Sequence, residues 1–525
     1  MTDGVHGEVM CLAHQRIMEL RNKVRLQYFS LVLLLLAILA QNGIAQLTVY
    51  VSPTGNDANP GTIDQPFKTI SKGLTTIGTS GTVMLRGGIH LLGSSKLSLS
   101  RTGQPANPIK LWAYAGETPI LDCTGNSSDG ISISGSYYHL KGFEVRNAGH
   151  NGINISGNNN IIENCSVYDN RNTGLHLTGS AAPGPSNNLI LNCDAYRNYD
   201  PPIGGNADGF SAKWAIGPGN VFRGCRAFNN SDDGWDLWMG TSPVVIESCY
   251  AFRNGVDIWH SGSVDSNGNG FKLGGNYVST PHVVRNCVAF DNAGNGGKGF
   301  DENNNTGGQT LYNGTSFRNK GNNYSFRNIV DSGQTHIFKN CLSYTGGVSI
   351  SSGIQEKNSW QGFVVTDADF MSLDTAGVTA QRMQNGNLQP SLFLHLSSKS
   401  LMIDAGVNVG SPYNGKAPDL GAFETGTVSV VEERQGRPLD FVLHQNFPNP
   451  FNPTTTIRYW LPSAGPVSLR VYDALGREVA VLVTAVQAPG EHHVNFDASA
   501  LPSGVYLARL TGGALTKIIK LVLTK

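Results

Sequence analysis

The chain has 525 residues with 38 basic and 38 acidic side chains, so no net field recruits nucleic acid, and an acidic ligand must be held by a local device such as a bound cation. Glycine at 64 positions and a charged fraction of 14% fit a turn-rich β protein and count against a helical bundle.

Residues 1–45 read as a signal peptide region. Arg21, Lys23 and Arg25 precede an apolar run from Tyr28 to Ala40, and the Gly43-Ile44-Ala45 stretch offers a cleavage site before Gln46. The run is shorter than the about 20 residues of a membrane span. Its long approach leaves Met1 and Met18 both open as the start.

Residues 46–425 read as one module. Near its beginning Phe67, Ile70, Leu74 and Ile77 keep a helical spacing, which predicts a short helix capping the module's open end. Two marks then recur every 22 to 38 residues. One is a hexad with a cysteine, an aromatic three residues later and an asparagine five residues later, at Cys165, Cys193, Cys225, Cys249 and Cys287, with a weaker copy at Cys341 and glycine replacing cysteine at Gly142 and Gly314. The other is a glycine followed by an apolar, polar, apolar triplet, as in DGFSA at Asp208, DGWDL at Asp233 and NGFKL at Asn269. Two strand signals per repeat, no helical period and glycine or asparagine at the corners predict an all-β solenoid with one coil per repeat. Six cysteines at one repeat position predict a column of buried free thiols rather than disulfides; Cys123 lies in an early coil and Cys11 leaves with the signal peptide.

Stacked coils turn repeat alignment into spatial alignment, about 4.8 Å per coil. Asp208 and Asp233 precede the glycine in consecutive coils and are expected to stack. Asp236 and Lys272 share the polar middle of the triplet, with Ser211 before and Asp301 after. Alternation sends Trp235, Leu237, Phe271 and Leu273 into the core and Asp236 and Lys272 to the outer face. One outer patch therefore gathers Asp208, Asp232, Asp233, Asp236 and Lys272.

Four carboxylates so close would raise one another's pKa, which favours a bound cation. Calcium takes six to eight oxygens and suits the set, whereas zinc would ask for histidine or cysteine. Corner aspartates also bond backbone amides in ordinary turns. Lys213 and Lys298 rival Lys272: Lys213 falls four residues after its glycine rather than two, and Lys298 precedes its glycine.

The stretch 426–438 reads as a linker. Beyond it, residues 439–525 alternate at Val467, Leu469 and Val471 and again at Val505 and Leu507, predicting a small β-sandwich. NFPNPFNPTTTIRYWLP, VYDALGREV and HHVNFDASALPSGVY resemble the C-terminal sorting domain of the type IX secretion system, which implies export to the cell surface or medium by that machinery.

ADGFSAK, SDDGWDLW and NGFKLGG in this order, with YVSPTGNDANPGT, VMLRGGIH and PIKLWAYAGETPILDC upstream, resemble the family-nine polysaccharide lyases, pectate lyases built on a right-handed parallel β-helix. The resemblance covers roughly residues 49 to 425. It implies that Asp208, Asp232, Asp233 and Asp236 bind calcium, that Lys272 is the catalytic base, and that polygalacturonate or a related polyuronate is cleaved by β-elimination; the protein is expected to be a monomer. Taken alone, the acids also fit a glycoside hydrolase using Asp232 and Asp233 as acid and base, or a non-catalytic surface solenoid.

Overall fold

A computed structural model describes residues 46–426 except 263, and 442–525 apart from 444, 447, 462–464, 488–489 and 513–514. The expected signal peptide, and the expected linker beyond residue 426, lie outside the described residues. The chain divides into two compact units, Met1–Thr427 and Val428–Lys525.

The first unit is a parallel β-helix with one sheet of twelve strands and two of ten, every pairing parallel and each strand bonded to its counterparts in the coils on either side. Thr48–Val51 begins the longest sheet, and helix α1, Ile70–Ile77, covers that end. Ile70, Leu74 and Ile77 of α1 are buried, and Thr69 caps it by accepting from the Lys72 N–H at 3.2 Å. A Cβ at Gly73 would come within 2.9 Å of Val51 and 3.0 Å of Val83, so glycine lets the helix lie directly on the first two strands.

Each repeat mark becomes a column along the helix axis. The residue after the corner glycine points inward, and its aromatic members stack: Phe210 on Trp235 and Trp235 on Phe271 at 4.8 Å, Phe271 on Phe300 at 4.9 Å. The hexad asparagines form an internal amide ladder in which Asn170, Asn198, Asn230, Asn254 and Asn292 each donate through Nδ2 to the Oδ1 of the next, at 2.8 to 3.0 Å, ending on Asn319. These bonds satisfy polar groups buried at one corner of six consecutive coils. The hexad cysteines are buried and unbridged, as is Cys123.

The hexad aromatics point outward and stack too, Tyr196 on Phe228, Phe228 on Phe252 and Phe252 on Phe290. An exposed ribbon of rings would be a large apolar patch. The segment after the last coil covers it, packing Phe370, Phe393, Leu394, Leu396, Met402 and Leu420 against the column.

The second unit has a three-stranded and a four-stranded antiparallel sheet. Its core joins Ile457, Tyr459 and Phe496 of the first sheet to Leu469, Val471, Ala508, Leu510 and Leu521 of the second. The described strands from Thr454 onward run eight to ten residues, longer than the alternation in the sequence suggested.

Candidate active site

Five consecutive strands of one ten-stranded sheet carry the site: β1 Leu175–Gly179, β2 Phe210–Trp214, β3 Trp235–Asp236, β4 Phe271–Lys272 and β5 Phe300–Asp301. Their register lines up His176, Ser211, Asp236, Lys272 and Asp301 as successive rungs on the outer face. The alternate positions Phe210, Trp235 and Phe271 are wholly buried inside. The corner aspartates stack as well: Gly209 N–H donates to Asp233 O at 2.9 Å, and Asp233 N–H reaches Asp208 Oδ1 at 3.4 Å. A Cβ on Gly234 would sit 2.6 Å from Gly270 O, so a side chain there would pry apart the coils that align the acids.

Asp208, Asp233 and Asp236 each present an oxygen within 4.8 Å of the others, the one such group of metal-ligating side chains among the described residues. Their two oxygens have different partners. Oδ1 of Asp208, Asp233 and Asp236 accepts from a backbone amide, that of Asp233, Asn269 and Trp238 respectively, which fixes each carboxylate. Oδ2 turns to shared lysines. Lys213 Nζ lies 2.9 Å from Asp208 Oδ2 and 2.6 Å from Asp236 Oδ2, and Lys272 Nζ lies 3.1 Å from Asp233 Oδ2 and 3.2 Å from Asp236 Oδ2. Asp233 Oδ2 nevertheless receives no hydrogen bond of acceptable geometry. Three buried carboxylates whose oxygens converge within 4.8 Å, with no histidine or cysteine among them, fit a hard cation.

The patch faces outward but is not exposed: Asp236 is 2% and Lys272 7% accessible. Burial has electrostatic consequences. Together with repulsion from Asp236 and Asp233 it outweighs Lys213 and pushes Asp208 up to about 7. Burial and the neighbouring acids also raise Asp232, and burial raises Asp233 despite the pull of Lys272. Asp236 goes the other way, because Lys213 and Lys272 overcome the effect of burial. Burial alone would lower Lys272, but Asp236, Asp233, Asp232 and Asp208 outweigh it and hold the ammonium well above its ordinary value.

Asp232, also buried, lies outside the three-acid group, and its Oδ1 accepts from Asn267 N–H at 3.0 Å. Asn267 ends an insertion between Gly255 and Gly268 whose base is pinched shut: a Cβ on either glycine would lie 2.4 Å from Gly294 N. Lys298 pairs with Asp301 at 2.7 Å rather than with the cage. Lys213 does reach it. Positions two and four after the glycine share one face of the five-residue strand β2, and that parity was the available signal. His176 was not anticipated; its Nδ1 shares a short hydrogen bond with Ser211 Oγ, and burial with the charge of Lys213 lowers it to about 3, so the ring is neutral.

Comparison with known proteins places the fold in a family. Residues 49–340 match the family described as "Pel9A-like, right handed beta helix region", and residues 445–524 match the "Secretion system C-terminal sorting domain" family. Pectate lyase L of Dickeya dadantii (strain 3937) is 40% identical over 389 residues, which cover 71% of this chain and 90% of that protein. The crystal structure of pectate lyase Pel9A superposes with a TM-score of 0.68 at 39% identity, covering 73% of this chain and 97% of the other. A rhamnogalacturonan lyase structure gives 0.59 at 30% identity, covering 67% and 96%. The chain belongs to the Pel9A-like right-handed β-helix family, is a polysaccharide lyase, and ends in a sorting domain of the type IX secretion system.

Proposed function

We propose that the protein is an exported, calcium-dependent lyase that cleaves polygalacturonate by β-elimination, with Asp208, Asp232, Asp233 and Asp236 holding the metal and Lys272 acting as base. The observation that carries this reading is the position of Lys272 Nζ, 3.1 and 3.2 Å from two acids of the cage and one rung beyond Asp236. The relatives' names supply the substrate class, since the 40% identical protein is a pectate lyase.

Asp208, Asp233 and Asp236 offer the Oδ2 atoms for the ion, and the amide bonds to their Oδ1 atoms keep them oriented. Calcium, when bound, supplies a Lewis acid for the C6 carboxylate of the substrate and takes up the carboxylate charge that otherwise keeps Lys272 protonated. Neutral Lys272 then accepts the proton from C5. The C5–H electron pair becomes the C4–C5 double bond, the C4–O bond breaks, and the leaving glycosidic oxygen takes its electron pair and a proton from solvent. No water is consumed. Burial of Lys272 keeps competing solvent protons away from the amine.

The module 46–425 would contain all of this chemistry. Residues 426–438 would link it to the sorting domain, 439–525, through which the secretion machinery handles the chain. Incubation with polygalacturonate, with and without calcium, tests the reading through the ultraviolet absorbance of the unsaturated product, with rhamnogalacturonan as the comparison substrate. Release of reducing ends without that absorbance would show hydrolysis instead.

A further inference from the structure

Beside the acid cage, three consecutive coils each place one aromatic side chain at or beyond the end of their strand. Trp214 ends β2 directly after Lys213, Trp238 stands two residues after Asp236, and Tyr277 belongs to the coil of Lys272. Trp214 is 44% and Tyr277 68% exposed, whereas Trp238 is half-buried.

Trp238 is fixed by the cage and by the next coil. Its N–H donates to Asp236 Oδ1 at 2.9 Å, and a Cβ on Gly275 would lie 2.2 Å from its indole Cδ1. Trp214 is held against it. The two indoles meet edge to face at 6.1 Å and 83°, and His176 meets Trp214 edge to face at 5.7 Å and 77°. Its carbonyl accepts from Thr241 N–H at 3.0 Å and from Thr241 Oγ1 at 3.2 Å. Its φ of +59° is a conformation that bulky residues rarely adopt and that persists only where the surroundings enforce it. An indole that is ordered from several sides yet left nearly half exposed is organised for a ligand rather than for the core.

We infer that Trp214 is a sugar-stacking platform for the residue of the polymer next to the reacting uronate, with Tyr277 a second contact on the other flank of the Asp236 coil. The inference rests on the lyase reading above and adds a binding residue to it. A pyranose ring has an apolar C–H face that suits a flat indole, while its carboxylate and hydroxyls stay at the rim in water. Trp214 packs against His176, which bonds Ser211 on the same outer ladder as Asp236, so the platform adjoins the cage. Coils about 4.8 Å apart put Trp214 and Tyr277 two coils apart along the axis, with Asp236 between them.

The test compares wild type, Trp214→Ala and Trp214→Phe on polygalacturonate, alongside calcium titration and thermal unfolding of each. Trp214→Ala should raise KM about tenfold with kcat nearly unchanged, and Trp214→Phe should recover most of the loss. Calcium affinity and Tm should stay at wild-type values. In the Lys272→Ala background, hexagalacturonate should change indole fluorescence, and replacing Trp214 with Phe should remove most of that change. An unaltered KM in Trp214→Ala, or a parallel fall in calcium affinity and Tm, would overturn the platform. Should wild type yield no unsaturated product, the lyase reading fails separately, and hexagalacturonate titration of wild type against Trp214→Ala still decides the platform.

Discussion

Arg382 and Asp194, 188 positions apart in the chain, form a buried ion pair in which Arg382 Nη2 and Nε donate to Asp194 Oδ1 at 2.7 and 3.0 Å. Arg226 holds the same carboxylate at 2.8 and 2.6 Å and donates to Val378 O and Ala380 O. One acid thus fastens the irregular C-terminal segment of the unit onto its coils.

Burial would raise Asp194, but Arg382 and Arg226 outweigh it and hold the carboxyl below its ordinary value. The contribution is present above the unfolded carboxyl pKa of about 3.9 and is lost as pH falls through the lower folded value. Arg382→Met should cost about 1–3 kcal/mol at pH 7, less than stripping a buried charge of its sole partner, because Arg226 still pairs with Asp194. Thermal unfolding at pH 7 and pH 3 should show the gap from wild type narrowing in acid; a gap independent of pH would deny the pair its electrostatic part.

Lys272→Ala should lower kcat by about 10²–10⁴-fold with little change in KM, since a base acts in the transition state. Lys272→Arg should be nearly as inactive, because a guanidinium keeps its proton. Lys213→Ala is the informative comparison, as Lys213 lies closer to Asp236 than Lys272 does. Unsaturated-product assays in which Lys213→Ala is the dead variant and Lys272→Ala remains active would move the base to Lys213.

Chelation should abolish activity, and calcium should restore it better than magnesium, whose compact octahedral shell fits a carboxylate-rich cage poorly. Asp233→Asn should mimic chelation, because it removes the charge from Asp233 Oδ2, the cage oxygen that Lys272 Nζ approaches at 3.1 Å. Calorimetric calcium titration of Asp233→Asn matching wild type would exclude this oxygen as a ligand.

The folded protein lacking Cys11 should be inert to thiol reagents at neutral pH, since all seven described cysteines are buried. After denaturation without reductant, the chain lacking Cys11 should titrate as seven thiols. A lower count would reveal bridges.

A chain ending at residue 425 should keep its specific activity, because the β-helix and the sandwich have separate cores. Activity lost from a truncated protein with an unchanged far-ultraviolet spectrum would assign the sandwich a part in substrate binding.

The coil register was legible because both repeat marks restate it in every turn, and the rung pairing of Asp236 with Lys272 follows from alignment alone. The part of Lys213 was legible only through its parity with Ser211, a signal that holds because β2 runs five residues where β3 and β4 run two. Burial of the patch depends on how neighbouring turns fold over it, which no local pattern encodes. Phe370, Phe393 and Met402 read as irregular sequence because their periodicity belongs to the aromatic column they cover, not to a strand of their own.

The glycine pinch at Gly255, Gly268 and Gly294 gives the insertion a closed neck, so its ends stay together whatever lies between them. Coil length can then change at that corner without shifting the rungs on either side. Residues added or removed inside that neck would lengthen or shorten the rim of the sheet while Asp236 and Lys272 stay on neighbouring rungs.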